Sequence, residues 1–136
     1  MPTGKIWGKR LREFEDILVE EIESDKPTFI STEMPIVYSK QRGSGTLFLI
    51  QLYGIFARVC YETMGADPIM IAVPTWKKIV CGNGAAKKPV VHVTIKEKYK
   101  IDKSIKSTDA LDSLCIAHAI ATRYYIEDIK KEEGQW

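Results

Sequence analysis

At 136 residues the chain has the length of one domain, and a domain of that size buries roughly 65–70% of its unfolded surface without needing disulfides or metals as staples. Apolar residues make up 45% and charged residues 28%, a balance that excludes a disordered tail or a coiled coil. No apolar run reaches the ~20 residues of a membrane span. Three cysteines, Cys60, Cys81 and Cys115, are an odd number without C-x-x-C spacing, so they read as small hydrophobes in a reducing compartment. The first residues lack the apolar core of a secretory signal, and a cytoplasmic protein is the expectation. Twenty basic and 18 acidic residues leave a net charge of only +2. The stretch Lys77–Lys106, however, carries nine lysines against Glu97 and Asp102, a net +7. That is the footprint of a polyanion site or of a solvated surface.

In chain order, Trp7, Leu11, Phe14, Leu18 and Ile22 recur at helical steps, predicting an amphipathic helix over 7–23. Ser24-Asp-Lys-Pro27 ends it, because the residue before proline resists the helical region. Residues 28–33 read as a short strand ending at Glu33, and 36–45 as a loop with a flexible, slightly basic centre around Arg42. A second helix spans 46–64, apolar over most of its girth. It is expected to be buried on two sides, with a second subunit as one cover. Ile69–Val73, bounded by Pro68 and Pro74, reads as an inner strand of a parallel sheet. A helical piece over 75–81, a Gly82-Asn-Gly84 break and a helix over 88–98 follow, with Pro89 in the first turn of the latter. Ser107 or Thr108 caps a last helix to about 132, whose buried face is Leu111, Leu114, Cys115, His118, Ala121 or Thr122, and Tyr125. This order indicates a single α/β domain over 1–136, with parallel strands joined by crossovers. Two strands are too few for a sheet to stand alone.

The chemistry rests on carboxylates. Asp109 and Asp112 project from one face at the start of a helix, and Glu33 closes a strand, where α/β sheets place their sites. If strand end and helix start meet, the three repel one another unless a cation neutralises them. Mg²⁺, or Mn²⁺, is the natural occupant of such an oxygen cluster, and a pair of these ions suits phosphodiester hydrolysis. The plainer reading of the aspartate pair is charge complementarity at a helix N-terminus, and of Glu33 a strand-end surface residue.

Three segments together bear a family resemblance. Trp76-Lys-Lys-Ile-Val-Cys-Gly-Asn-Gly-Ala-Ala-Lys-Lys88, Ser107-Thr-Asp-Ala-Leu-Asp-Ser-Leu-Cys-Ile-Ala-His-Ala119 and Phe29-Ile-Ser-Thr-Glu-Met-Pro35 resemble, in order and spacing, the motifs of RuvC-type Holliday junction resolvases, with the style of phage-encoded members. The resemblance covers about residues 8–125. It implies an RNase H-like mixed sheet flanked by helices, and a homodimer without membrane association, in the host cytoplasm if phage-encoded. It further implies Mg²⁺-dependent nicking of four-way DNA junctions in recombination and repair. Glu33, Asp109 and Asp112 match three of the family's four acidic metal ligands. Lys77 and Lys88 match basic residues near the scissile phosphate, Lys88 with a catalytic role. Lys78, Lys87 and Arg42 extend the DNA-binding set.

The family pattern begins with a strand bearing the first catalytic aspartate, followed by two more strands. Here 1–8 runs straight into the first helix, so those three strands are expected to be absent, through truncation or divergence. Asp16 lies within the amphipathic helix and is no substitute. Two alternatives follow: a branched-DNA-binding remnant of the same family, or another RNase H-like nuclease acting on forks or RNA–DNA hybrids. Of the remaining residues, His118 reads as a core histidine with a backbone partner and His92 as surface. Trp7 reads as a core anchor. Trp76 reads as a border residue of the basic segment, with base stacking as its functional alternative.

Overall fold

A computed structural model describes residues 6–34 and 44–132 of the chain. The elements run α1 (Trp7–Asp25), β1 (Ser31–Glu33), α2 (Ser44–Met64), β2 (Ile69–Ile71), α3 (Val73–Cys81), α4 (Lys88–Tyr99) and α5 (Thr108–Glu132). Each lies where the sequence pattern puts it, with ends shifted by at most three residues. Arg42 and most of the predicted 36–45 loop lie outside the described residues, as does the side chain of Tyr125.

The chain divides into two compact units. One holds the sequence up to Ile30 and the stretch ending at Ile69; the other holds Ser31–Met34 and the chain from Met70 onward. In the first unit α1 packs on α2. Ile22, Val59 and Cys60 form its buried centre, with Leu18, Val19, Ile30, Ile55, Phe56 and Met64 around them. Trp7 meets Phe48 edge-to-face with centroids 5.1 Å apart, which makes it the anchor that the helical period predicts. Its indole N–H donates to Gln51. Arg58 pairs with Glu15, and Asp16 pairs with Arg12 at 3.0 Å on the exposed face of α1. Helix α1 ends in a left-handed cap at Lys26, whose N–H donates to the Ile22 carbonyl at 2.9 Å; Pro27 then prevents continuation.

Strands β1 and β2 are neighbours in a two-stranded sheet. The Ile69 N–H donates to the Ile30 carbonyl and the Met34 N–H to that of Ile71, each at 2.8 Å. Residue numbers rise together along both strands, so the pair is parallel.

The second unit is built on α5. Helices α3 and α4 and strand β1 all pack against it, and Trp76, Val91, Ile95, Cys115, Ala119 and Ile120 are fully buried there. The buried face of α5 is therefore Leu111, Cys115, Ile116, Ala119 and Ile120. Leu114, His118 and Thr122 lie at its margin and Ala121 is exposed, a rotation from the predicted face that follows from cover by two helices on one flank. Between α3 and α4 the two glycines have distinct work. Gly82 caps α3 at φ 81°, a conformation that favours glycine. A Cβ on Gly84 would lie 2.8 Å from the Pro74 carbonyl oxygen, so only a bare backbone passes there. All three cysteines are free; Cys60 and Cys115 are buried, and burial pushes the Cys115 thiol up to about 11. Among the described residues no helix is long and apolar enough to cross a membrane.

Candidate active site

Helix α5 begins where Ser107 offers its hydroxyl oxygen to the Ala110 N–H at 3.4 Å and its carbonyl to the Leu111 N–H at 3.0 Å. That cap sets the phase of Asp109, exposed in the first turn, and of Asp112 in the next. Opposite stands the first residue of α4, Lys88, whose Nζ donates to Asp112 Oδ2 at 2.6 Å. One helical turn on, the His92 ring lies 2.7 Å from the other oxygen, Oδ1. Burial alone would raise the Asp112 carboxyl, but these two hydrogen bonds and the charges behind them hold it below its ordinary value. Asp112 is therefore ionised, and His92 Nε2–H is the donor.

Glu33, at the end of β1, enters from the sheet side. The indole N–H of Trp76, itself 0% exposed, donates to Glu33 Oε1 at 3.3 Å. The Lys88 ammonium feels the charge of all three carboxylates. Its hydrogen bond to Asp112 holds its proton affinity above the ordinary lysine value, and the charges of Asp112, Glu33 and Asp109 all add to this against a smaller opposing effect of burial. Acids 76 and 79 positions apart along the chain thus both contribute to the charge that acts on one ammonium.

The other predicted site residues differ in exposure. Lys87 is the exposed N-cap of α4. Lys78 is exposed and Lys77 half-buried on α3. Three readings are corrected. His92 is not a surface residue: it is 8% exposed, because Lys88, Val91, His92 and Ile95 share the face of α4 turned to α5. That i, i+3, i+4, i+7 pattern was available in the sequence but was obscured by the surrounding lysines. Trp76 is no stacking platform, since no face of its ring reaches solvent. His118 also differs in its partner, the Tyr99 hydroxyl at Nδ1, 2.7 Å away, and not a backbone group.

The donor chemistry suits a hard divalent cation, since Glu33, Asp109 and Asp112 offer only oxygen. In the arrangement observed, the positive charge at the centre is the Lys88 ammonium. Among the described residues no three His, Cys, Asp or Glu side chains are drawn tightly enough together to hold an ion.

The depressed Asp112 carboxyl makes a stability prediction. A folded-state value below the unfolded one contributes stability that is complete above the unfolded carboxylate value, about 3.9, and is lost as pH falls through the folded one. Thermal melts of Asp112→Asn should lie below wild type at pH 7, and the gap should narrow below about pH 4. A gap unchanged at pH 3 contradicts the assignment.

The comparisons with known proteins give the family and the fold. The family model described as crossover junction endodeoxyribonuclease RuvC matches residues 3–120, and the chain belongs to that family. Among solved structures it is similar to Thermus thermophilus RuvC, with a TM-score of 0.79 at 15% identity, covering 93% of this chain and 75% of that one. It matches T. thermophilus RuvC in complex with Holliday junction substrate equally well, with a TM-score of 0.79 at 16% identity and the same coverage. At such identities the likeness establishes a shared fold. No curated protein matches the sequence.

Proposed function

We propose that the chain is a Holliday junction resolvase, a homodimer that nicks four-way DNA junctions with Mg²⁺ as cofactor. The observation that carries this reading is the pairing of Lys88 at the start of α4 with Asp112 on α5 in a chain of the RuvC family. The Holliday junction bound to its structural neighbour supports the choice of substrate.

The residues divide the work as follows. Glu33, Asp109 and Asp112 are the groups that would hold Mg²⁺ or Mn²⁺, which when bound supplies an activated water and stabilises the leaving oxygen. Lys88 pairs with Asp112 in the free protein and offsets only part of the charge of the three carboxylates. As a phosphate enters, its ammonium can exchange the carboxylate for a phosphate oxygen and favour the more highly charged transition state. Lys78 and Lys87 on the exposed surface, with half-buried Lys77, supply attraction for the DNA backbone that carries no sequence information. The dimer draws support from α2, where Leu47, Ile50 and Tyr61 are exposed at helical spacing with Gly54 open between them. A second copy covering that stripe accounts for its apolar character, and light scattering at about twice the chain mass checks it.

The decisive assay incubates a synthetic four-way junction with the protein in Mg²⁺, in EDTA, and beside a linear duplex of the same sequence. Paired nicks on the junction in Mg²⁺ alone are expected. Tight junction binding without nicking favours instead the binding-only reading. Cleavage of the linear duplex at equal rate overturns the structure-specific reading.

A further inference from the structure

The nuclease reading uses Asp112 and Lys88 but gives no role to His92, the one buried polar or charged residue among those described. Its ring sits on the core face of α4 between Val91 and Ile95, both 0% exposed. Burying an imidazole among apolar side chains costs free energy unless its polar atoms are satisfied, and here Nε2 is satisfied by Asp112 Oδ1. The two oxygens of Asp112 are therefore held by two donors one helical turn apart, and the donors differ in kind. Lys88 is 47% exposed at the end of a flexible stem, whereas the His92 side chain is 11% exposed and fixed by its neighbours. A carboxylate gripped only by a mobile ammonium would turn about its terminal torsion, which is soft and two-fold. The rigid ring removes that freedom.

We infer that His92 is a positioning residue, which through Asp112 Oδ1 sets the orientation of the Asp112 carboxylate and leaves Oδ2 as the oxygen that changes partners when Lys88 moves. The inference rests on the nuclease reading for its effect on rate, but its structural content stands apart from it. It also assigns a division of labour. Helix α4 holds Asp112 through His92 as α3 holds Glu33 through Trp76, so each of these carboxylates has a buried N–H behind it. Groups standing behind a working carboxylate in this way commonly govern 10–100-fold in activity.

Two variants separate positioning from packing. His92→Gln places an amide N–H near the position of Nε2 and keeps the hydrogen bond. His92→Leu fills similar space and offers no donor, and His92→Ala, which leaves room for water, is a second donor-free form should the leucine variant not fold. The expected result is single-turnover nicking of the four-way junction slowed roughly 10–100-fold in the donor-free variants and within about threefold of wild type in His92→Gln. Junction Kd is expected to be unchanged in all. A packing role predicts the reverse, with Leu tolerated and Gln impaired, and that order overturns the proposal. Crystal structures of the same proteins distinguish its failure from failure of the nuclease reading. An Asp112 carboxylate that turns in a donor-free variant and returns in His92→Gln supports positioning even if the wild-type protein nicks nothing. A carboxylate that keeps its orientation without the donor overturns it.

Discussion

Replacing Glu33 by Gln or Asp109 by Asn is expected to slow junction nicking by on the order of 100- to 1,000-fold, the scale of losing one preorganised group that stabilises developing charge. Junction affinity should hold or tighten, since removing a negative charge beside Lys88 and Lys87 relieves repulsion of the phosphate backbone. These two variants are cleaner than Asp112→Asn. Asp112 carries the Lys88 ion pair and the His92 hydrogen bond, so its loss mixes stability with chemistry, whereas Gln at position 33 still accepts from the Trp76 indole and Asp109 is exposed. Quantitative gel analysis of nicked product against a filter-binding titration separates the two effects. Nicking that survives either substitution undiminished contradicts the carboxylate assignment.

The largest stability effect is expected at Trp76. A fully buried indole replaced by Ala costs about 3–5 kcal/mol, which for a chain of this length lowers the melting temperature by roughly 10–20 °C. Trp76→Phe keeps most of the volume and loses the N–H that reaches Glu33. It should melt within a few degrees of wild type yet nick measurably more slowly, because Glu33 loses the donor behind it. Calorimetry on both variants, with nicking rates on the phenylalanine form, checks this. A Trp76→Ala protein melting beside wild type would mean that the indole is not the keystone its burial makes it.

Much of this was legible in the sequence because the relevant signals are local. Apolar patterning located the five helices among the described residues, and stop and cap residues located several of their ends: Pro27 beyond α1, Gly82 beyond α3, Ser107 before α5. The acidic triad was legible as residue type and spacing, and the family motifs ordered it. What local pattern cannot supply is which neighbour a face meets. Trp76 borders a lysine-rich stretch and so reads as accessible, but its side chain turns into the second unit and is spent on Glu33. His92 lies among lysines and so reads as solvated, yet the pairing of α4 with α5 brings it to Asp112. The same pairing rotates the buried face of α5 away from Ala121. Each difference is a tertiary contact overriding a composition argument, and two of the three fall on the groups that hold the carboxylates.

The claim beneath all of this is that Glu33, Asp109 and Asp112 serve one centre, where Lys88 now pairs with Asp112. Crystals grown or soaked with Mn²⁺ and measured for anomalous scattering test it most directly. The predicted result is a peak among those three carboxylates, with the Lys88 ammonium withdrawn from its 2.6 Å contact to Asp112. A peak elsewhere on the protein, or carboxylates standing too far apart to share an ion while Lys88 stays in place, would contradict it.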